Sequence, residues 1–332
     1  MLVLGVLLAA AGAASPVSHR ILFVDTNAAV QTVDLDSGAH HVLMNDGAVT
    51  SLAWSPDGTR LLVVDAGGLN TVSTRTHAYT HLVSGVILTA AWSPNGHWVA
   101  ALLRVGTVHR APPLPPPPRY AIFLVRPSGR GLHRVTPWST NRSGDLLWSP
   151  DSTRLLSVRG AALTVLDLTG KSTVVKDTGY VDSAAWSPDG RTIAYGRLSD
   201  YRFGQRTLMG LWLVGPDGRG LRQLTQGTEF SPEWSPDGTR IAFVRIRPDT
   251  GDYALGSVVV GTGAITPLDV EDHYVDDNPS WSPDGRWLAF GRRPAVDGTR
   301  DQYLWVVRTD GTGAREISHH MEPGTEGTWQ PR

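Results

Sequence analysis

The chain has 332 residues, and its hydrophobic fraction of 41% is large enough for a sizeable core. A formal net charge of −1 gives no overall attraction to nucleic acid or to an anionic membrane. The absence of cysteine excludes disulfides, thiolate metal sites, thiol nucleophiles and a lipid-anchored N-terminal cysteine.

The first predicted element is a leader segment over residues 1–18. It opens MLVLGVLLAAAGAAS, an apolar stretch followed by small residues, with Ala11-Gly12-Ala13 as a cleavage signal. The stretch is shorter than the roughly 20 residues of a membrane-spanning helix, although no Lys or Arg precedes it as in most signal peptides. We therefore expect a periplasmic or secreted protein whose mature part has no transmembrane segment.

Six near-copies of one motif follow the leader. They are SLAWSPDGTRLLVV (51–64), TAAWSPNGHWVAAL (89–102), DLLWSPDSTRLLSV (145–158), SAAWSPDGRTIAYG (183–196), SPEWSPDGTRIAFV (231–244) and PSWSPDGRWLAFG (279–291). The tryptophans recur at intervals of roughly 40 to 55 residues, which is the period of propeller blades and of other structural repeats.

Each motif predicts a β-hairpin. Ser-Pro-Asp-Gly suits a type I turn, because Pro presets φ at the second position and Gly accepts the left-handed conformation that follows. The turn joins a strand ending in Trp to a strand such as 241–244, whose successive apolar residues predict burial on both faces. Asn95 in place of Asp is a tolerated variant, whereas Ser152 in place of Gly predicts a more strained turn.

Third and fourth strands complete each unit, as in 211–214 and 221–225 around a Gly-containing turn. Residues 21–44 supply the second to fourth strands of a further unit, and the C-terminal EGTWQPR supplies its first strand with Trp329. We therefore predict an all-β fold over residues 19–332, a single seven-bladed β-propeller of four-stranded antiparallel blades. Pairing of the C-terminal strand with the N-terminal blade would close the ring and remove an open edge.

The W-S-P-D-G-x-x-I/L-A-F repeat resembles the WD-like propeller repeat of the TolB family, which also occurs in prolyl-oligopeptidase-type peptidases. The resemblance covers about residues 20–332 and implies the propeller fold, but it implies little about function, because the repeat serves both binders and enzyme accessory domains. TolB proteins carry an N-terminal α/β domain for an inner-membrane partner, whereas here the propeller begins about twenty residues in. TolB's transport or envelope roles therefore do not carry over directly, and no G-x-S-x-G nucleophile elbow occurs.

The longer insertions, 104–119, 197–209, 245–255 and 292–302, all fall on one predicted face of the ring. We call it the insertion face; it carries the loops between second and third strands and those leading into each next blade. The opposite turn face carries the short WSPDG and Gly turns. Variable loops on a rigid scaffold are the usual place for binding, so the insertion face is the predicted functional face.

Charge on the insertion face is organised into an acidic centre and a basic rim. Acids dominate the loops that enter the innermost strands, while the insertions farther out carry Arg104, Arg110, Arg119, Arg197, Arg202, Arg206, Arg292, Arg293 and Arg300. Five acids lie three to five residues before their tryptophans and are predicted to ring the channel mouth: Asp145, Asp182, Glu229, Asp277 and Glu326. Such oxygen ligands suit Ca²⁺ better than a transition metal. The same acids would also attract a lysine or arginine side chain. The alternative is that these acids cap turns and solvate the face.

Aromatic and basic residues of the same loops form the predicted partner-binding face. They are Arg119, Trp138, Tyr201, Arg202, Phe203, Tyr253, His273, Tyr274 and Arg293. The proline-rich stretch 110–119 predicts a stiff polyproline II strut beside them. We expect a monomeric, non-catalytic module that binds a protein or peptide in the cell envelope.

An enzyme is the alternative hypothesis. His109, His273, His319 and His320, with Asp276 and Glu322 nearby in sequence, could hold a metal for lyase or hydrolase chemistry at the channel mouth. Their spacing matches no compact metal motif. This hypothesis predicts that His273, His319 and a carboxylate converge on one point.

Overall fold

A computed structural model describes residues 19–45, 49, 51–106, 117–140, 144–159, 162–175, 178–199, 207–268, 273–295, 302–321 and 327–331, with only the backbone of Ser51, Arg159, His319 and His320. These residues form 28 β-strands and no helix. No segment among them is a helix long and apolar enough to cross a membrane. The predicted leader, 1–18, lies outside the described residues.

Strands that share a position in the blades are given together, starting from the centre of the ring. The innermost strands are β4 (Ser51–Trp54), β8 (Val86–Trp92), β12 (Leu146–Trp148), β16 (Tyr180–Trp186), β20 (Glu229–Trp234), β24 (Tyr274–Trp281) and β28 (Thr328–Trp329). The second strands are β1 (Arg20–Val24), β5 (Arg60–Asp65), β9 (Val99–Val105), β13 (Arg154–Arg159), β17 (Ile193–Leu198), β21 (Arg240–Ile246) and β25 (Trp287–Pro294).

The outer half of each blade consists of two further strands. The third strands are β2 (Val30–Asp34), β6 (Gly68–Ser73), β10 (Arg119–Val125), β14 (Ala162–Asp167), β18 (Leu208–Val214), β22 (Tyr253–Val259) and β26 (Gln302–Arg308). The outermost strands are β3 (His40–Met44), β7 (Tyr79–Ser84), β11 (His133–Arg134), β15 (Ser172–Val175), β19 (Arg222–Gln223), β23 (Ile265–Pro267) and β27 (Arg315–Met321).

Seven antiparallel sheets of four strands make up the blades, as predicted. Blade 1 has the order β28-β1-β2-β3, and blades 2 to 7 take four consecutive strands each, from β4–β7 to β24–β27. In blade 1, Ile21 pairs with Trp329 and Leu22 with Thr328, so the C-terminal strand completes the N-terminal blade. Every innermost strand also contacts the innermost strands of both neighbouring blades, which closes the circle. Seven blades and their closure by the C-terminal strand are therefore confirmed.

The motif tryptophans join each blade to the one before it. The indole Nε1–H donates to the backbone carbonyl of the residue that precedes the tryptophan of the previous blade. The distances are 3.2 Å for Trp54 to Thr328, 3.0 Å for Trp148 to Ala91, 3.2 Å for Trp186 to Leu147, 3.1 Å for Trp281 to Glu233 and 2.8 Å for Trp329 to Ser280. The Nε1 atoms of Trp92 and Trp234 are buried without a partner. Five of the seven tryptophans thus satisfy a buried donor and a buried carbonyl with one bond.

The WSPDG segments form the predicted turns. In the sixth blade the Gly238 N–H donates to the Ser235 carbonyl, and the Ser235 Oγ–H donates to the carboxylate of Asp237 at 2.6 Å. The two turns that depart from the repeat lie in adjacent blades and bond to each other. Ser152 adopts φ of 60° where other blades have Gly, and its Oγ accepts a hydrogen bond from the Asn95 N–H at 3.0 Å. The predicted strain at Ser152 is therefore present, and the bond from Asn95 offsets it.

The core lies between successive blades. All four residues of the predicted strand 241–244 are buried, as are their counterparts in the other second strands. Burial on both faces of a blade is what a run of consecutive apolar residues requires. The blades therefore form a rigid stack, and we expect a binding site at the ends of the strands.

Candidate functional site

The innermost strands are irregular only at their insertion-face half. Four of them, β8, β16, β20 and β24, shift register by a β-bulge within five residues of the motif tryptophan. Ser231 and Asn278 in two of these bulges have positive φ values of 49° and 50°. The Ser231 N–H donates to Ser183 Oγ, which lies in the bulge of the preceding blade. Bulges re-aim side chains, so the channel-lining positions differ from blade to blade although the hairpins beside them repeat.

Among the predicted channel carboxylates, Asp145 lies close enough to Asp182 for its charge to act on the pKa of Asp182. Asp182 lies in the bulge of β16. Its side chain is accessible to water, but protein atoms surround it on the channel wall, so it is also partly desolvated. Desolvation raises the pKa of Asp182, a hydrogen bond from Ser183 Oγ at 3.0 Å lowers it, and the charge of Asp145 raises it further. The net pKa of Asp182 is above its ordinary value, so a cation near it would be favoured.

Glu229 and Asp277 hold neighbouring loops and strands together. Glu229 is only 5% exposed, and its Oε2 accepts hydrogen bonds from Thr225 Oγ1 at 2.8 Å and from the Gly227 N–H at 2.9 Å. Gln302 on β26 donates from its Nε2 to Asp277 on β24 at 2.7 Å, so this hydrogen bond spans the intervening strand β25. Glu229 thus fits the turn-capping alternative. Glu326 lies outside the described residues, and among those that are described no three His, Asp or Glu side chains come together as a metal site would require.

A buried ion pair lies where the sequence predicted part of the basic rim. Arg292 is 0% exposed and Asp276 is 1% exposed. The guanidinium donates from Nε to Asp276 Oδ1 at 2.7 Å and from Nη2 to Oδ2 at 2.9 Å. Its Cζ lies 4.9 Å from the ring centre of Tyr274 and 4.7 Å from that of Trp305. The prediction that Arg292 belongs to the exposed rim is wrong, because its charge is neutralised inside blade 7.

Trp138 and Arg119 form an accessible patch on blade 3. The Arg119 guanidinium lies 6.0 Å from the Trp138 ring centre, and that of Arg134 lies 5.8 Å from it. Both arginines are exposed, while Trp138 is half-buried against Phe123 at 5.8 Å. Trp138 also lines a pocket of about 350 Å³ between blades 3 and 4. The sequence analysis did not single out Arg134, which lies in the outermost strand β11.

The other predicted partner-face residues differ in their surroundings. Tyr253 packs edge-on against Phe230 at 5.3 Å, and Tyr274 packs on the buried Arg292, so both contribute to the interior of their blades. His273 is exposed with φ of 70°, and Arg293 is half-buried on β25. Tyr201, Arg202 and Phe203 lie outside the described residues, as do His109 and Glu322 of the enzyme hypothesis.

Comparisons with known proteins agree with this architecture. The family model for the WD domain, G-beta repeat, matches residues 37–73. No curated protein matches the chain by sequence. Among solved structures, a protein described as TolB from Agrobacterium tumefaciens is 19% identical, with a TM-score of 0.56 over 95% of both chains.

Two further structures have a similar fold. TolB from Acinetobacter baumannii is 18% identical, with a TM-score of 0.57 over 92% of this chain and 79% of its own. An oligogalacturonate lyase in complex with manganese is 16% identical, with a TM-score of 0.67 over 84% of this chain and 82% of its own. At these identities the likeness shows the fold alone, and the similar structures include both TolB proteins and a lyase.

Proposed function

Since the chain is a seven-bladed β-propeller built from TolB-like, WD-like repeats, we propose that it is a non-catalytic binding module that holds a protein or peptide on its insertion face. The leader-like segment 1–18 supports export, so the proposed place of action is the periplasm or the cell exterior. The proposed module acts as a monomer, and its net charge of −1 gives it no general affinity for nucleic acid.

The observation that carries this proposal is the patch formed by Arg119, Trp138 and Arg134. Tryptophan and arginine are the residues that most often dominate the energy of protein interfaces. Here both arginines are exposed, their guanidinium groups lie 6.0 Å and 5.8 Å from the ring centre of the half-buried indole, and a pocket opens beside it. The patch therefore combines an anchor position with charge that would select an acidic partner.

The channel mouth contributes a second, cation-selective element to the proposal. Asp145 and Asp182 lie close enough for the charge of one to raise the pKa of the other. Two carboxylates that repel each other gain from a shared cation, whether Ca²⁺ or a lysine or arginine of the partner. Ca²⁺ at this position remains a prediction.

Capture experiments with matched variants test the proposal. Tagged full-length protein, expressed in its own host, would be cross-linked and purified as wild type, Trp138→Ala, Arg119→Glu and Arg219→Glu. Arg219 is the control, because it lies in a turn-face loop with its side chain 91% exposed. We expect the same captured partner with wild type and Arg219→Glu, and its loss with both insertion-face variants. Loss with Arg219→Glu alone, or retention by all variants, would contradict the proposal.

Metal content separates the proposal from the enzyme hypothesis. Purified protein would be analysed for bound metals and then unfolded by heat with EDTA, Ca²⁺ or Zn²⁺. Stabilisation by Ca²⁺ that disappears in the Asp145→Ala/Asp182→Ala double variant would support the acidic mouth as a cation site. A tightly held transition metal that is lost in His319→Ala would instead favour a metal-dependent lyase or hydrolase.

A further inference from the structure

Blade 2 carries a chain of four hydrogen-bonded side chains at its insertion-face end. Asp65 ends β5, Asn70 lies on β6, and His81 and Ser84 lie on β7. Asn70 Nδ2 donates to Asp65 Oδ2 at 2.8 Å. The His81 ring lies 2.9 Å from Asn70 Oδ1 through its Nδ1 atom and 2.8 Å from Ser84 Oγ through its Nε2 atom. The chain therefore runs without a break from a carboxylate to a hydroxyl group.

The positions of the protons follow from the first bond of this chain. A carboxylate can only accept, so the amide of Asn70 turns its NH₂ group to Asp65 and its Oδ1 atom to His81. The Nδ1 atom of His81 must then carry the proton that Oδ1 accepts, and Nε2 of the neutral ring is left as an acceptor. Nε2 therefore accepts the hydrogen bond of the Ser84 hydroxyl group.

A hydroxyl group, a base and a group that orients the base are the three parts of an activated nucleophile. The 2.8 Å between Ser84 Oγ and His81 Nε2 lies within the roughly 2.6–3.2 Å over which a general base takes a proton. Asn70 holds the imidazole in the required tautomer and orientation, and Asp65 holds the amide of Asn70. Ser84 is thus placed to act as a nucleophile with His81 as its base.

The two reactive groups are open to solvent. His81 and Ser84 are exposed, whereas Asn70 behind them is only 7% exposed. Gly85 follows Ser84 with φ of 122°, and a Cβ atom at Gly85 would meet no atom of the described residues within 4 Å beyond its chain neighbours. A small acyl donor therefore has room beside the Ser84 hydroxyl group.

Blade 1 contains the same framework as blade 2. Gln31 Nε2 donates to Asp25 Oδ2, as Asn70 donates to Asp65. The other oxygen of each aspartate accepts two backbone N–H groups of its own turn. In both blades the register between the third and fourth strands shifts immediately before the amide residue. The carboxylate–amide pair is therefore a structural feature that two blades share.

The histidine and the serine are not part of that shared framework. Val42 of blade 1 pairs with the amide residue, where His81 does so in blade 2. Asn45 lies three residues after Val42, where blade 2 has Ser84. Blade 1 thus forms the same turn and the same register shift with neither group, so the fold does not require an imidazole and a hydroxyl group there.

We infer that Ser84 is a nucleophile that accepts one acyl group from an activated ester, such as an aryl ester. The bond from Ser84 Oγ to the carbonyl carbon forms, and the bond from that carbon to the leaving aryl oxygen breaks. The proton of Ser84 passes to His81 Nε2 and from there to the leaving oxygen. The products are O-acylated Ser84 and a free phenol.

This reaction goes beyond the proposed function and does not oppose it. An aryloxide is a better leaving group than the serine alkoxide that water would later have to expel, so the acyl group accumulates on Ser84. The result is one modification per chain on the insertion face, in the blade next to the one that carries Trp138. Partner capture through Trp138 does not depend on it, so either proposal can fail without the other.

Labelling of the full-length protein with p-nitrophenyl acetate tests the nucleophile. We expect a burst of about one p-nitrophenolate per chain and, by mass spectrometry, one acetyl group on the peptide that contains Ser84. Ser84→Ala should abolish the burst, and His81→Ala should slow it by at least about 100-fold. Ser37→Ala is the control with an unchanged burst, because Ser37 is an exposed serine whose hydroxyl group donates to the carboxylate of Asp34 and not to an imidazole. Absence of a burst, a burst that persists in Ser84→Ala, or an unchanged rate in His81→Ala would overturn the inference.

An exchange of two side chains tests the orientation of the histidine. Asn70→Ala removes the acceptor of the His81 Nδ1–H and should slow acetylation of Ser84 by about tenfold or more. Asp65→Asn/Asn70→Asp exchanges the carboxylate and the amide and can keep every hydrogen bond of the chain, so its rate should equal or exceed that of wild type. Circular dichroism establishes that each variant is folded. A wild-type rate in Asn70→Ala, or a folded exchange variant as slow as Asn70→Ala, would overturn the assignment of this chain as an activated serine.

Discussion

Polar groups at the strand ends find their hydrogen-bond partners in different places on the two faces of the ring. On the turn face the aspartate of every described WSPD turn has partners inside its own turn, as Asp189 does with the Ser187 hydroxyl group at 2.6 Å and the Arg191 N–H at 3.0 Å. On the insertion face some acids have their partners in other strands, as Asp276 does with Arg292 and Asp277 with Gln302. Hydrogen bonds within one turn can be repeated in every blade, whereas hydrogen bonds between strands differ from blade to blade. The insertion face, which differs from blade to blade, is therefore the face that can bind a specific partner.

Titration behaviour follows the same division. Hydrogen bonds from Ser187 and from the Arg191 N–H lower the pKa of Asp189, and the equivalent bonds from Ser235 and Thr239 lower that of Asp237. Asp182, at the channel, has a raised pKa because desolvation outweighs its single hydrogen bond. The turn face is thus stabilised by its charges, and the channel mouth carries a charge that costs stability.

The largest expected effect separates a buried from an exposed arginine. Arg292→Ala should lower the free energy of unfolding by about 3–5 kcal/mol, because it leaves Asp276 buried without its counter-charge. Arg219→Ala, which removes an exposed ion pair with Asp217 at 3.7 Å, should cost no more than about 0.5 kcal/mol. Urea unfolding of both variants makes the comparison, and similar losses would show that the buried pair is not specially important.

The next effect isolates the bond between blades. Trp281→Phe removes the donor to the Glu233 carbonyl, while Trp92→Phe removes a donor that has no partner. Both changes delete the same part of the indole ring, so their difference reports the hydrogen bond. We expect Trp281→Phe to be the more destabilising by about 1 kcal/mol in urea unfolding. Equal losses would contradict the role assigned to the repeated tryptophan.

The turn of blade 4, in which Ser152 replaces the glycine of the repeat, offers a test with a smaller expected effect. Ser152→Ala keeps the left-handed strain and loses the bond from the Asn95 N–H, so it should cost about 1 kcal/mol. Ser152→Gly loses the same bond but removes the strain, and its stability should stay within about 0.5 kcal/mol of wild type. Thermal unfolding distinguishes them; a Gly variant less stable than the Ala variant would refute the strain argument.

The smallest expected effect is the dependence of stability on pH. A raised pKa contributes stability that is fully present below the ordinary value of 3.8 and is lost as the pH rises through the raised pKa, so Asp182→Asn should raise the melting temperature at pH 7 and not at pH 3. A lowered pKa contributes stability that is present above 3.8 and is lost as the pH falls, so Asp237→Asn should lower the melting temperature at pH 7 and less so at pH 3. Shifts of the same sign for both variants at pH 7 would contradict the contrast.

Sequence alone predicted the blades well, because turn chemistry and consecutive apolar runs act within about a dozen residues. It missed the buried pair for a specific reason. Counting back along a regular hairpin from Trp281, which pairs with Leu288, would set Asp277 opposite Arg292. The bulge between Asp277 and Ser280 shifts the register, so that Asp276 pairs with Arg292 instead. A bulge depends on contacts with neighbouring blades, which the local sequence does not specify.

The pocket beside Trp138 could not be predicted from the local sequence, because residues of several separate segments line it. Thr136 and Trp138 belong to the connection that leads into blade 4, whereas Thr164 and Ser172 belong to the outer strands of blade 4.

Photo-cross-linking in the native host tests the central claim most directly. A benzoylphenylalanine would replace one exposed arginine on each face, as Arg119→p-benzoylphenylalanine on the insertion face and Arg219→p-benzoylphenylalanine on the turn face. Binding on the insertion face predicts a discrete protein adduct from position 119 and none from position 219. An adduct from position 219 with none from position 119 would contradict it.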